Sequence, residues 1–332
     1  MAKKTIARFN AFVKKNPLVH SLTHLLTLRE AIDSLSSQHI RCQFEEILLD
    51  ELMESTSNAR KPIFDYLIAL ESAFRSFGHK PLDHTFFYHA YAAIKGRSSD
   101  KGRYRSRQNW IGPEGESKEK AYFFPPPPAV VPAAMSRLIA YGNKKEEEPL
   151  LQLAILFAQL LIIHPFMDGN GRIARLLIAF FLYQRKIVSE PIMFLSRFLK
   201  EQRLAYFQNL FSITFENRWD KWIHFFLKAL SAQGKQDLLL LRKINALYQK
   251  LDKKLAKEWP RKKVERILLY LFQHPLTLQT FWEEREVLPL LKLNILKKVH
   301  RKKTALFAFT ALLELFQAKK NPENRSRRLR GR

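Results

Sequence analysis

The sequence predicts an all-α, mainly helical fold: a helical core carrying one short β-hairpin flap, followed by a C-terminal helical, winged-helix-like domain. Three observations carry this. Glycine is scarce and phenylalanine plentiful, 10 against 26 in 332 residues, which disfavours a sheet protein with its Gly-rich turns. Apolar residues recur at helical spacing along most of the chain. Two apolar runs, Leu150 to Ile163 and Leu176 to Tyr183, read as buried helices on either side of a polar loop.

In order, residues 1–60 form an N-terminal helical region. Leu18, Val19, Leu22, Leu25 and Leu26 recur at helical spacing, and Leu28 to Ile40 and Phe44 to Leu52 continue the pattern. Pro62 opens the next helix, Ile63 to Phe77. Gly78 to Pro81 is a turn, and Leu82 to Ile94 is again helical. His84 and His89 on this helix have no partner at metal-ligand spacing and read as ordinary helix residues. Residues 96–132 change character. Two apolar pieces around Trp110 and Phe123 flank a Gly/Pro turn, the pattern of a short hairpin, which Pro125 to Pro128 ends in an extended path. Arg103, Arg105, Arg107 and Trp110 interleave cations with an aromatic, as a nucleic-acid surface would.

Val130 to Tyr141 is a helix, the two apolar runs follow, and Ser196 to Phe211 and Arg218 to Leu230 complete a core over residues 61–230. At Ser231 the composition shifts. A lysine-rich amphipathic helix, Leu238 to Leu255, opens a third region, 231–318, in which helices and a short ribbon would suit a small winged helix lacking the glycines of a wing turn. Residues 319–332 are a basic, disordered tail able to bind polyanions.

The formal net charge of +26 suits an acidic partner, whether nucleic acid, an anionic membrane surface, a nucleotide or an acidic protein, and equally suits a solubilising surface. The single cysteine, Cys42, excludes an intramolecular disulfide and fits a reducing compartment. No secretory signal precedes the first helix, and Leu153 to Ile163 is too short to span a bilayer. The expectation is a cytoplasmic protein with no membrane partner, export as an effector remaining open.

The loop between the apolar helices reads His164-Pro165-Phe166-Met167-Asp168-Gly169-Asn170-Gly171-Arg172-Ile173-Ala174-Arg175. If a helix starts near Gly171, its N–H groups form an anion site that Gly169 and Gly171 leave open to a phosphate. Arg172 and Arg175 can reach phosphate oxygens. Asp168 is a hard ligand for Mg²⁺. Asn170 can donate or accept without adding charge, and His164 can exchange a proton near neutral pH.

These twelve residues resemble the signature of the Fic family, His-Pro-Phe-x-Asp/Glu-Gly-Asn-Gly-Arg-x-x-Arg, without departure. Gly102 to Gly112, the prolines after Phe124, and the helices carrying Ser196, Arg203 and Tyr206, and Trp219 and Trp222, also resemble the family. The likeness spans about residues 28–230. It implies a protein adenylyltransferase that moves AMP from ATP to a Ser, Thr or Tyr hydroxyl of a target protein, with self-modification as a further outcome. His164 would be the base and Asp168 the Mg²⁺ ligand. Gly169 to Arg172 would hold the α-phosphate, Arg175 the γ-phosphate and Arg172 the β-phosphate. Tyr206 would approach the adenine, and the flap at Trp110, Ile111 and Gly112 would pair with the target. Other donors (UTP, GTP, a phosphocholine or phosphate donor) and removal of AMP stay open. So does a role of another class, DNA-binding regulation through the basic C-terminal half. Many relatives restrain the second arginine with a glutamate in a Ser/Thr-x-x-x-Glu helix. Aligned on Ser37, that position holds Arg41, so the restraint would be lost unless Glu45 or Glu46 supplies it.

Overall fold

The computed structural model describes the chain except residues 37–39, 41, 79, 97–102, 113–115, 146, 302, 303 and 318–332. The protein is mainly helical with one small sheet, and it divides into two compact units, Met1–Arg41 with Ser57–Leu239, and Cys42–Thr56 with Leu240–Arg332.

The first unit opens with α1 (Ala2–Lys15), the short α2 (Leu18–Ser21) and α3 (Thr23–Leu35). The helix α4 (Phe44–Leu52) belongs to the second unit, although the sequence places it with its neighbours in one region, 1–60. The first unit resumes with α5 (Lys61–Phe77), which has Pro62 in its first turn, and α6 (His84–Ile94), capped by Asp83, whose carboxylate accepts from Phe86 N–H at 2.8 Å. The two histidines of α6 are satisfied as expected: His84 meets the Tyr104 hydroxyl at 2.7 Å and His89 the Ser72 hydroxyl at 3.0 Å. Then come α7 (Val131–Asn143), α8 (Pro149–Ile163), α9 (Asn170–Gln184), α10 (Ser196–Glu201) and α11 (Arg203–Glu216).

The two apolar runs are α8 and the body of α9, and they form the centre of the unit. Leu153, Phe157 and Leu160 of α8, and Leu176, Leu177, Phe180 and Phe181 of α9, are fully buried. Each such side chain contributes roughly 1.5–3 kcal/mol of burial. Trp222 packs flat against Phe157, with centroids 5.9 Å apart, and donates its indole N–H to Ala154 O at 2.8 Å. The loop between α8 and α9 is thus held by two deeply buried helices.

Where the sequence suggests a break at Ser231, the chain instead continues as one helix of 37 residues, α12 (Trp219–Leu255). Ser231 is buried and shares a hydrogen bond with the Thr5 hydroxyl at 3.1 Å. Gly234 stays helical because a Cβ there would lie 3.1 Å from Met193 Cε and 3.3 Å from Thr5 Cγ2. Close packing replaces the break that the change in composition implies.

In the second unit, α13 (Arg261–Gln273), β1 (Leu276–Leu278), α14 (Glu284–Lys292), β2 (Lys297–Arg301), β3 (Thr304–Ala308) and α15 (Thr310–Phe316) follow the end of α12. The sheet is antiparallel in the order β1-β3-β2, with Leu276 opposite Ala308 and Val299 opposite Leu306. The helices and the short β2–β3 ribbon are joined by a strand, β1, that the sequence does not suggest, and the apolar stretch from Leu288 is divided between the end of α14 and the strand β2. Phe44 of α4 stacks on Phe316 of α15 at 4.8 Å, which explains why α4 leaves its sequence neighbours for this unit.

Candidate active site

The site is built where α8 stops. His164 caps that helix in the left-handed region, φ 49° and ψ 59°, while its N–H still bonds Leu160 O at 3.0 Å. A non-glycine residue pays for this conformation, so something must hold it. That something is Arg105, which is 4% exposed. Its Nε donates to His164 O at 2.9 Å and its Nη2 to Ile163 O at 3.4 Å and to Pro126 O. Its own N–H donates to Pro165 O at 2.8 Å. Asn109 adds a bond from Nδ2 to Phe166 O at 3.0 Å. The proposed nucleic-acid stripe is therefore corrected at its centre, because Arg105 points inward and clamps the loop.

Phe166 is fully buried and stacks on Tyr91 at 4.3 Å, anchoring the loop. Asn170 closes the turn. Its Oδ1 accepts from Phe166 N–H at 2.9 Å and its Nδ2 donates to Phe166 O at 2.8 Å. At 2% exposure its amide shapes the loop rather than facing a ligand. Gly169, at φ 80°, precedes α9. A side chain there would be strained and would meet Ile94. The helix starts at Asn170, one residue before the sequence suggests, so the N–H groups from Asn170 onward stand at its free end.

The two arginines diverge. Arg175 donates from Nε and Nη2 to the Ser34 hydroxyl at 2.9 and 2.7 Å. Arg172 is 6% exposed, and its carbonyl accepts from the Tyr66 hydroxyl at 3.2 Å. Its Nη2 lies 3.4 Å from Asp168 Oδ2, and its buried Nε has no hydrogen-bond partner. Lys95 Nζ reaches the same Asp168 oxygen at 3.2 Å, while Asp168 Oδ1 accepts from Gly169 N–H at 2.6 Å. Partial burial pushes Asp168 up, but Arg172, Lys95 and the Gly169 N–H outweigh it and hold the carboxylate below its ordinary range.

Burial pushes His164 down to about 4, with Arg105 acting in the same direction and the bond to Leu161 O opposing it. The imidazole is therefore neutral near pH 7. Its Nδ1 lies 3.2 Å from Leu161 O, which can only accept, so the proton sits on Nδ1. The lone pair is on Nε2, as a general base requires.

A cavity of about 260 Å³ brings His164, Gly171, Arg175, Ser34 and Ser196 together with Lys200 and Arg203. Its remaining walls include Ile111, Phe123, Leu199, Tyr206, Phe207, Leu210, Phe211 and Thr214. The flap is reduced to one bridge: Ile111 N–H donates to Phe123 O at 2.9 Å, and Phe123 N–H to Ile111 O at 3.1 Å. Gly112 lets its two sides approach, since a Cβ there would lie 3.2 Å from both Ala121 Cα and Lys120 O. Trp110 is 42% exposed beside it. Of the expected residues, His164, Gly171, Arg175, Tyr206 and Ile111 line the cavity; Asp168, Gly169, Asn170, Arg172, Trp110 and Gly112 do not.

Ser37 and Arg41 lie outside the described residues. Glu46, one expected substitute for the missing restraint, instead accepts from Gln43 N–H at 3.0 Å as part of the capping box of α4. Sequence reasoning missed Ser34, the partner of Arg175, and Lys95, the partner of Asp168. The only signal for Ser34 is a polar residue on the buried face of α3.

Residues 81–182 match the family model described as Fic/DOC family. The fold is similar to that of a Fic family protein from Desulfovibrio desulfuricans G20, with a TM-score of 0.60 and 16% identity over 93% of each chain. It is also similar to a Fic domain containing signaling protein from Bacteroides thetaiotaomicron VPI-5482, with a TM-score of 0.57 and 20% identity over 72% of this chain and 97% of that one. Fic-1 from C. elegans matches with a TM-score of 0.52 and 16% identity, over 74% of this chain and 72% of that one. The loop that joins α8 to α9 thus lies inside the stretch, residues 81–182, that matches the Fic/DOC family model, and the whole fold is similar to those of solved Fic proteins.

Proposed function

We infer that the protein transfers AMP from ATP to a hydroxyl side chain of a target protein. The observation that carries this is a neutral His164, with Nε2 unprotonated, on the same cavity as Gly171 and Arg175 at the open end of α9. His164 Nε2 takes the proton from the target hydroxyl. The hydroxyl oxygen bonds to the α-phosphorus, and the bond from that phosphorus to the bridging oxygen of the β-phosphate breaks, releasing pyrophosphate. Backbone N–H groups at the start of α9 hold the α-phosphate and the charge that develops on it. Arg175 grips the outer phosphates, and Arg172, held through its carbonyl by Tyr66, steadies the loop. The negative charge of the bound phosphates raises the affinity of His164 for the proton it accepts.

The residues fit a divalent cation. Asp168 is a half-exposed carboxylate, and no group of three or more His, Cys, Asp or Glu side chains converges among the described residues. That donor set suits Mg²⁺, which keeps most of its waters and takes phosphate oxygens. When bound it neutralises charge across the α- and β-phosphates. Tyr206, Phe207 and Phe211 supply aromatic surface for the base.

A second, compatible role is polyanion binding by the second unit, because β2 carries Lys297 and Lys298 and the strand order suits a winged helix. Glu283 precedes α14 and Glu284 and Glu286 lie in its first turn; Arg285 pairs with Glu283, and Lys263 and Arg266 with Glu286, so these cations are already engaged and Glu284 would repel DNA phosphates. Contact would therefore run through β2 rather than α14, and a steep loss of binding with salt would report it.

The deciding experiment is incubation with Mg²⁺ and ATP, alone and with a cell extract, read by intact mass. A gain of one AMP unit on this chain or on an extract protein, absent with His164→Ala, supports the assignment. No gain under either condition overturns it.

A further inference from the structure

We propose that Lys95 is a mobile cation of the anion site that occupies the metal-facing oxygen of Asp168 at rest and transfers to a donor phosphate when a divalent cation takes that oxygen. The proposal rests on the nucleotide-transfer reading above. Its geometry stands on the loop itself. Asp168 has two oxygens, and Oδ1 is committed to the N–H of Gly169 at 2.6 Å. The remaining oxygen, Oδ2, faces both Lys95 Nζ at 3.2 Å and Arg172 Nη2 at 3.4 Å. A metal ion seeking Asp168 must therefore share Oδ2 with cations, or displace one of them.

The two cations differ in their freedom to leave. The side chain of Arg172 is 7% exposed, and its carbonyl is bonded to the Tyr66 hydroxyl. The side chain of Lys95 is 35% exposed, on a four-carbon stem with a compact, rotatable ammonium. Its backbone is fixed instead. Lys95 caps the C-terminus of α6, its N–H bonding Tyr91 O at 3.1 Å and Ala92 O at 3.2 Å. Gly96 follows at φ 64°, fitted against the Lys61–Asp65 ion pair so closely that a Cβ would lie 2.4 Å from Lys61 Nζ. A pinned base with a free ammonium can swing between two acceptors in the same neighbourhood.

The consequence is a coupling between metal and donor. Without a donor, a divalent cation competes with Lys95 for Oδ2 and binds weakly. With a donor, the ammonium has a phosphate to move to, and the carboxylate is released for the metal. By linkage the coupling is reciprocal, so metal improves donor binding by the same factor as donor improves metal binding.

The test uses the full chain and Lys95→Gln, with matching circular dichroism as the check on folding. Mn²⁺ binding without nucleotide is read by electron paramagnetic resonance, and ADP binding by calorimetry in EDTA and in Mg²⁺. Lys95→Gln is expected to bind Mn²⁺ alone about tenfold more tightly, to bind ADP in EDTA about as wild type does, and to lose about tenfold in ADP affinity in Mg²⁺, since the coupling between metal and donor is gone. Asp168→Asn in the Lys95→Gln background should abolish the gain in Mn²⁺ affinity. Equal Mn²⁺ affinity in wild type and Lys95→Gln, or a gain that survives Asp168→Asn, overturns the role of Lys95. Failure of the wild type to bind ADP in either buffer overturns instead the reading on which it rests.

Discussion

Arg175 is expected to grip the donor, yet its guanidinium already holds the Ser34 hydroxyl through two bonds, at 2.9 and 2.7 Å. Ser34 is 1% exposed on α3 and lines the same cavity. Replacing it with glutamate puts a carboxylate where a neutral hydroxyl accepts these bonds, and the cavity of about 260 Å³ has room for the longer side chain. A hydrogen bond to a charged group contributes about 1.5–3 kcal/mol, and a bidentate carboxylate–arginine pair lies at the upper end. A donor phosphate must break that pair before it can use Arg175. Ser34→Glu is therefore expected to weaken ADP binding by about 1.4–2.8 kcal/mol, or roughly ten- to a hundredfold. Ser34→Ala removes the acceptor without adding charge and should change affinity less than about threefold. Calorimetry with ADP, on proteins of matched circular dichroism, checks both. If Ser34→Glu binds ADP as tightly as wild type, Arg175 does not hold the phosphates and its assigned role is wrong.

Two further outcomes follow from buried groups. Arg105→Ala strips the carbonyls of His164, Ile163 and Pro126 of their shared donor, a predicted cost of about 2–4 kcal/mol. In calorimetry this should lower Tm by roughly 5–10 °C, and AMP transfer should be lost with it; Arg105→Lys, lacking the forked donors, should rescue only part. Burial pushes Glu30 up to about 8, against the bond it accepts from the Ser196 hydroxyl and the charge of Arg175. Because the folded pKa is raised, its contribution to stability is fully present below about 4.5 and is lost as pH rises through about 8, by an order of 3 kcal/mol at pH 7. The lowered pKa of His164 acts in the opposite sense and only between about 4 and 6.5. Glu30→Gln should therefore flatten the decline in the urea midpoint between pH 7 and 8.5; an undiminished decline would show that Glu30 is not its source.

Much of the site was legible because its chemistry is local in sequence. The twelve residues from His164 to Arg175 include the histidine, the start of α9, the carboxylate and both arginines, and the flanking apolar runs mark the helices that hold them. The hairpin was legible from its turn, and among the described residues it forms one bridge, Ile111 to Phe123. The partners of those groups were not. Ser34 is 141 residues from Arg175, Lys95 is 73 from Asp168, and Arg105 is 59 from His164. In sequence, Arg105 resembled a surface cation between other cations, and nothing local distinguishes an arginine that will bind carbonyls from one that will bind phosphate.

The domain arrangement shows the same division. Composition suggested a break at Ser231, but a helix ends only when a cap, proline or packing conflict stops it, and Ser231 and Gly234 are packed instead. The sequence by itself determined the helical class, the pair of apolar helices and the polar loop between them, since periodicity and glycine placement act over a few residues. Only the tertiary structure decided that α4 packs with α15, that Arg105 holds His164 in its left-handed turn, and which side chains restrain Arg175 and Asp168. Those choices depend on which buried polar groups must find partners after the chain collapses, and such partners are drawn from wherever the packing brings them.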